Sequence, residues 1–257
     1  MCFCVIPKNN VVAVQKLFQH GKRTQARLHF SIERTFLNLR QRYFTCKNVQ
    51  HNSFALAGLD TEAAVIETKR LNGAITYTTE VEVPAQVAVE QYDTMANLKA
   101  LLAGGQYTVA RMSVFCDSYF VRAYPDAALH VENGGFWYDA ASMAWLDPSN
   151  PQVLVYVTSL CQEYARLGFD EIALDYFSYP VNGRLESIAG LEGTDRVQVL
   201  TDFIKSLRAN LPDTVKVSIV LHGQPDAAQG LSSQLLTENF DRIYLDAGVD
   251  AAVLERS

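Results

Sequence analysis

Short apolar runs alternate with amphipathic segments along most of the chain. From residue 43 onward the pattern predicts six strands, most of them continuous apolar runs, which is typical of a parallel sheet covered on both faces. The predicted strands lie at residues 43–49, 63–69, 107–115, 171–177, 215–221 and 242–246. Strands and helices that alternate at this spacing indicate a series of β/α units, either open or closed into a barrel.

The predicted helices between these strands have recognisable ends. Asn150 can cap a helix with Pro151 at its first position, and Gly168 can end it. Thr194 is the predicted cap of the next helix, which should end before Pro212. Residues 11–40 are also compatible with helix, interrupted at Gly21.

Two connections are too long to be simple turns, at residues 116–150 and 178–193. Both follow the carboxyl ends of predicted strands, the side on which loops build active sites in parallel α/β folds. We therefore expect the functional residues on this side of the sheet.

The amino-acid composition is typical of a globular protein. The chain has 257 residues, of which 49% are hydrophobic and 19% are charged, as in ordinary globular proteins. It contains no apolar run of membrane-spanning length and no typical signal peptide, so we expect a cytoplasmic protein, with export left open in case the chain does not begin at its natural start. The five cysteines, an odd number without metal-type spacing, favour reduced thiols.

Charge is distributed unevenly. Residues 1–50 carry nine Lys and Arg against one acid, whereas the remainder carries 13 against 27. A basic arm can dock on nucleic acid or on an anionic membrane, but we favour a weakly ordered or helical leader over residues 1–42. The acidic remainder argues against nucleic acid as the main partner. The predicted domains are therefore this basic segment and a larger domain over residues 43–257.

Carboxylates stand at or just beyond four predicted strand ends. They are Glu67, Asp117, Asp175 and Asp246. If the strands are parallel and adjacent, these acids share one rim, where like charges raise one another's pKa and one group can stay protonated. Glycoside hydrolysis requires such a pair, an acid for the departing oxygen and a nucleophile or base for the anomeric carbon. Structural ion pairs are the alternative for each acid, and Glu67 could pair with Lys69 or Arg111.

Asp175 is the strongest of these candidates, because Tyr176, Phe177 and Tyr179 follow it directly. Aromatic faces suit the C–H faces of sugars. In the first long connection, Trp145 fits a sugar contact and loop packing equally well, and packing is favoured for Trp137.

Two further side chains have open roles. Asp147 should order its loop, with a pairing to Arg111 or a sugar contact as lesser roles. His222 alone among the histidines lies at a predicted strand end, where it would contact substrate or pack at the rim. A metal site on this scaffold normally uses several histidines, so none is predicted.

Three segments carry a family resemblance. They are ARMSVFCDSYF, NGGFWYDAASMAWLDPSN and LGFDEIALDYFSYP. In this order they resemble the bacterial putative glycosyl hydrolase domain family, whose members are expected to be (β/α)₈ barrels distantly similar to α-amylases and α-galactosidases. The earlier AAVIETKRLNGAITY resembles the family's first conserved strand, which usually carries Asp where this chain has Glu67.

The resemblance implies roles for two of the acids. In similar α-galactosidase-type enzymes the fourth-strand carboxylate is the nucleophile, which corresponds to Asp175, and a sixth-strand Asp is the acid/base, which corresponds to Asp246 by our strand count. The chain departs from the family in its first 42 residues, in the LDAGVD that replaces an aromatic- and proline-rich ending, and in its six strands. The N-terminal region, a partner chain or residues beyond a fragment could complete the sheet, and an open edge favours self-association.

We therefore predict a TIM-barrel-like α/β protein that hydrolyses an oligosaccharide or polysaccharide without a cofactor. Asp175 is the predicted nucleophile or base, Asp246 the first choice of proton donor and Asp117 the second. Glu67 is expected to position a sugar hydroxyl. The other predicted substrate-binding residues are Arg111, Trp145, Asp147, Tyr176, Tyr179 and His222. A non-catalytic carbohydrate-binding barrel is the main alternative.

Overall fold

The computed structural model describes residues 3–6, 63–89, 95–105 and 107–245. The predicted helix at 11–40, the predicted strand at 43–49 and Asp246 lie outside these residues. The predicted domain boundary between residues 42 and 43 also lies outside them and stays a prediction.

The described strands form one sheet in chain order. They are β1 (Phe3–Ile6), β2 (Ala63–Lys69), β3 (Tyr107–Ser113), β4 (Glu171–Asp175), β5 (Lys216–Leu221) and β6 (Arg242–Leu245). The strands from β2 to β6 are parallel, whereas β1 pairs antiparallel with β2, with Phe3 opposite Ile66. Five of the predicted strands are thus present. The N-terminal region, which the sequence analysis allowed to contribute to the sheet, supplies β1 beside β2, although no strand was predicted at residues 3–6.

Helices follow most of the parallel strands. They are α1 (Met95–Leu102), α2 (Ser118–Ala123), α3 (Pro151–Leu167), α4 (Arg196–Ala209) and α5 (Ser233–Asn239). The ends of α3 are those predicted: the Asn150 side chain accepts from the Gln152 N–H, and Gly168 closes the helix at φ 95°. The predicted cap of α4 is wrong by one residue, because Asp195 accepts from the Gln198 N–H while the Thr194 hydroxyl donates to the Gly190 carbonyl.

One face of the sheet is apolar and packs against the helices. Side chains alternate along each strand, so Met112, Leu174 and Ile219, which share a row in the sheet register, point to the same side. All three are fully buried. Cys161 of α3 lies against this row, with its Sγ 3.5 Å from the Met112 Sδ. Burial of these residues in one core with the helices is the main stabilising contribution to the fold.

The opposite face is polar, which the continuous apolar runs did not predict. Its lower layer centres on Glu171, which is fully buried. The hydroxyls of Tyr107 and Tyr244 each donate to this carboxylate at 2.7 Å, and Arg242 pairs with it. A buried carboxylate with this many donors is compensated for its loss of water. The upper layer of this face, at the carboxyl ends of the strands, contains the candidate site.

Candidate active site

Asp175 is the last residue of β4, and its side chain is only 7% exposed. Its two oxygens have different partners. Oδ2 accepts from Arg111 Nε at 2.8 Å and lies 2.5 Å from Arg111 Nη2. Oδ1 lies 2.5 Å from His222 Nε2 and accepts from the Tyr176 N–H at 2.9 Å. The partners come from β3, from the residue after β4 and from the residue after β5, so three adjacent strand ends meet at this carboxylate.

These contacts keep the carboxylate ionised. Burial alone would raise the pKa of Asp175, but the hydrogen bond from His222 and the positive charge of Arg111 outweigh it and hold the pKa below its usual value. The site therefore presents a nearly buried negative charge that persists at neutral pH.

The backbone turns sharply directly after this acid. Tyr176 has a φ of 52°, in the left-handed region that residues other than glycine rarely occupy. Such strain costs on the order of 1–3 kcal/mol and tends to occur at functional sites. The turn directs the Tyr176 N–H onto Asp175 and stacks the Tyr176 ring on His222, with centroids 4.5 Å apart.

Asp117, the second-choice proton donor, is fully buried and has a different set of partners. Its Oδ1 accepts from the N–H groups of Tyr119 and Phe120 and caps α2. Its Oδ2 lies 2.8 Å from Lys69 Nζ in an ion pair without solvent exposure. A carboxylate held in this way supports the structure of the β2 and β3 ends, and its contacts differ from those of a group that protonates a leaving oxygen.

Glu67 lies at the same end of the sheet, one strand away from Arg111. The register pairs Glu67 of β2 with Arg111 of β3, so their side chains share the polar face with Asp175. The Glu67 side chain is 30% exposed and lies 3.8 Å from Arg70 Nε. Lys69, one of the two alternative partners considered for Glu67, forms its ion pair with Asp117. The predicted first-choice proton donor, Asp246, lies just beyond the described residues.

The aromatic candidates divide between the site and the packed interior. Tyr176 is partly exposed beside Asp175. Trp145 is 3% exposed and packs edge-on against the Tyr176 ring, with the ring centroids 6.0 Å apart. Tyr179 is 1% exposed, with the Arg196 guanidinium 5.6 Å from its ring centre, and Trp137 is also buried. The structure gives these buried rings packing roles.

Asp147 orders its own turn, as one of its predicted roles required. Its Oδ1 accepts from the backbone N–H and the hydroxyl of Ser149, and Arg111 pairs with Asp175 instead.

The sequence analysis missed the roles of two residues near the site, Lys69 and Asp139. Lys69 donates to the Ser113 carbonyl at 2.7 Å in addition to its ion pair, and it thereby joins the ends of β2 and β3. Asp139 accepts from the Trp145 indole N–H at 3.1 Å and from the N–H groups of Ala141 and Met143. An Asp ahead of a tight turn is a sequence signal for the backbone bonds, but the contact with Trp145 depends on the folded loop.

Among the described residues, no three His, Cys, Asp or Glu side chains are placed so that they could hold a metal ion together. The described helices include none that is both long and apolar enough for a membrane span.

Solved structures similar to this chain have TIM-barrel-like folds. A hypothetical protein from Ruminiclostridium thermocellum is 26% identical with a TM-score of 0.56, and the match covers 66% of this chain and 88% of that protein. An α-galactosidase from Geobacillus stearothermophilus, solved with 1-deoxygalactonojirimycin, is 15% identical with a TM-score of 0.51 and matches 80% of this chain. The galactosidase domain of an α-galactosidase–sucrose kinase is also 15% identical, with a TM-score of 0.51 over 78% of this chain.

These matches confirm the predicted α/β, TIM-barrel-like fold. The chain spans only 29% and 27% of the two galactosidase chains, and at this identity the likeness concerns the fold. No curated protein matches the chain significantly.

The match to a family model is more informative than these structural likenesses, because it covers most of the described sheet. The model described as "Putative glycosyl hydrolase domain" matches residues 47–243, from ahead of β2 into β6. This range includes Glu67, Arg111, Asp175 and His222, and it confirms the resemblance carried by the three sequence segments. The chain belongs to this glycosyl hydrolase domain family.

Proposed function

We propose that the protein is a glycoside hydrolase that cleaves an oligosaccharide or polysaccharide at the Asp175 site. The observation that carries the proposal is an ionised, nearly buried carboxylate at the carboxyl end of a central parallel strand, in a chain of this family. Active sites of TIM-barrel enzymes lie on this side of the sheet.

Asp175 is the proposed nucleophile or base, and its two oxygens suit different tasks. Arg111 engages Oδ2 with two nitrogens and fixes the plane of the carboxylate. Oδ1 faces the partly exposed His222 and Tyr176. In the proposed reaction Oδ1, or a water activated by it, attacks the anomeric carbon as His222 shifts from it, and the bond to the leaving oxygen breaks.

The leaving oxygen needs a proton from a second group. Asp246, one residue beyond the end of β6, remains the proposed donor. Asp117 is the weaker candidate, because it is buried and its oxygens are engaged by Lys69 and by the start of α2. Glu67 keeps its proposed role in holding a sugar hydroxyl, since its side chain is partly exposed on the same face.

The experiment is a turnover screen with aryl glycosides and soluble polysaccharides, applied to the wild type and to Asp175→Asn. Loss of the nucleophile or base should reduce kcat by at least about 10³-fold. Asp213→Asn, which changes an exposed carboxylate far along the chain, is the matched control and should keep full activity. Unchanged turnover in Asp175→Asn would refute the assignment.

A second measurement does not depend on whether the Asp175→Asn variant folds. If the enzyme is retaining, a 2-deoxy-2-fluoro glycoside of the best substrate should label the wild type, and peptide mapping should locate the sugar on Asp175. A label on another carboxylate would move the nucleophile to that residue.

One observation favours a second candidate, a non-catalytic carbohydrate-binding protein. All the ordinary hydrogen-bonding positions of Asp175 are already engaged, by Arg111, His222 and the Tyr176 N–H. Retention of the protein on polysaccharide without hydrolysis of any substrate in the screen would support this candidate.

A further inference from the structure

The loops that follow β3 and β4 are joined into one unit. The Trp137 indole N–H donates to the Arg184 carbonyl at 2.9 Å, and the Ala140 N–H donates to the Asn182 side chain at 3.1 Å. A third bond runs from the Ala189 N–H to the His130 carbonyl at 2.8 Å. We call residues 130–141 and 181–189 the loop platform.

A glycine allows the two loops to approach each other closely. Gly183 has a φ of 94°, and a Cβ at this position would lie 3.0 Å from the Trp137 ring and 3.2 Å from the Asp139 backbone. The platform is therefore held by close packing as well as by hydrogen bonds.

Exposed apolar side chains are concentrated on this platform. Among the described residues, the large hydrophobic side chains that are clearly exposed are Tyr124, Tyr138, Val155, Val181 and Leu185. Three of these five belong to the platform, with exposures of 51% for Tyr138, 50% for Val181 and 40% for Leu185. Single exposed hydrophobic residues are ordinary, whereas several of them on two joined loops favour a binding surface.

Packed side chains connect the platform to the candidate active site. Asp139, next to Tyr138 in the chain, accepts from the Trp145 indole N–H, and Trp145 meets the Tyr176 ring edge-on. Tyr176 in turn stacks on His222, which contacts Asp175. The platform loops follow β3 and β4, so they lie at the same end of the sheet as Asp175.

We propose that the loop platform binds the distal sugar units of a polysaccharide chain whose cleaved bond lies at Asp175. Tyr138 offers an aromatic face to a pyranose ring, and the exposed polar side chains of Asn182, Arg184 and Glu186 lie beside the apolar ones and suit sugar hydroxyls. The carbohydrate class of this ligand rests on the proposed function. The substrate is then a polymer, and Tyr138 favours longer substrate chains over shorter ones.

Affinity electrophoresis in native gels tests this binding without requiring turnover. The wild type is run through gels that contain galactomannan, xylan or mixed-linkage glucan, beside Tyr138→Ala, Tyr138→Phe and Asp175→Asn. Tyr138→Ala should bind the retarding polysaccharide about tenfold more weakly, while Tyr138→Phe keeps the ring and most of the binding. Val155→Ser, which changes an exposed apolar residue on α3, is the matched control and should bind as the wild type.

The outcomes separate this inference from the proposed function. If Tyr138→Ala loses retardation while the wild type hydrolyses nothing, the platform stands and the hydrolase assignment falls. If aryl glycosides are hydrolysed at Asp175 but no gel retards the wild type, or Tyr138→Ala is retarded equally, the platform inference is overturned. It is also overturned if light scattering shows a dimer that Tyr138→Ala dissociates, because the patch would then be an interface between two copies of this chain.

Discussion

His222 and Arg111 together hold Asp175 in its ionised form. The guanidinium contacts one carboxylate oxygen with two nitrogens, in a geometry that a lysine cannot reproduce. Sequence reasoning identified both residues as functional, but it offered Glu67 or Asp147 as the partner of Arg111 and did not anticipate Asp175. The choice of Asp175 depends on the register of β3 against β4, which places Arg111 two residues before the row that contains Asp175.

Replacement of Arg111 by Met should destabilise the protein at neutral pH. Because the folded pKa of Asp175 lies below its unfolded value, its contacts stabilise the fold above about pH 4 and are lost as pH falls through the lower folded pKa. Arg111→Met should lower the free energy of unfolding at pH 7 by about 1.5–3 kcal/mol and weaken this acid dependence. Urea unfolding between pH 2 and pH 7 measures both effects, with the exposed Arg166→Met as the control. An equal loss in both variants would contradict the assignment.

Among the elements, the turn after β2 is built around Gly73. Asp117 caps α2 and pairs with Lys69, and it reaches this position by passing directly over Gly73. Gly73 has a φ of 93°, and a Cβ there would lie 1.8 Å from Asp117 Oδ1. The glycine is therefore required both by its backbone conformation and by the close approach of a carboxylate.

A pair of glycine substitutions separates these two requirements. Gly105 has a φ of 75°, and a Cβ at this position would have no atom within 4 Å, so Gly105→Ala should cost only the left-handed conformation, about 1–2 kcal/mol. Gly73→Ala adds a clash with a buried ion pair and should cost more than about 3 kcal/mol. Chemical unfolding of the two variants gives the comparison. Equal costs would mean that Asp117 can move aside freely.

Across the molecule as a whole, the sheet divides an apolar helical layer from a polar face that carries the candidate chemistry. Ala173 and Leu174 are adjacent and both buried, yet they point to opposite sides of β4. Ala173 lies in a row with Arg111 and Ser218, whereas Leu174 lies in a row with Met112 and Ile219. The continuous apolar sequence of this strand concealed that difference.

Serine substitutions at these two positions should therefore differ sharply. Ala173→Ser places a hydroxyl among polar neighbours and should change the free energy of unfolding by less than about 1 kcal/mol. Leu174→Ser leaves a cavity and a polar group in the helical layer and should cost about 3 kcal/mol or more. Thermal or urea unfolding compares them directly, and similar losses would show that both faces are packed alike.

Local sequence was sufficient to predict the elements whose causes are local. The ends of α3 follow from Asn150, Pro151 and Gly168, the parallel strands follow from their apolar runs, and Asp175 follows from its place at the end of one of them. The three family segments indicated the fold, which the structural and family comparisons confirm. These features depend on residues a few positions apart, where spacing and side-chain chemistry carry the information.

Which acids at the strand ends can contact a substrate depends instead on how the chain folds. Asp117 and Asp175 were both candidates in the sequence, but Lys69 and Gly73 bury the first, while Arg111 and His222 hold the second beside partly exposed Tyr176. These partners come from other strands and turns, more than 40 positions away along the chain. Strand register and loop packing set such contacts, and no local pattern encodes them because each depends on where two distant segments meet.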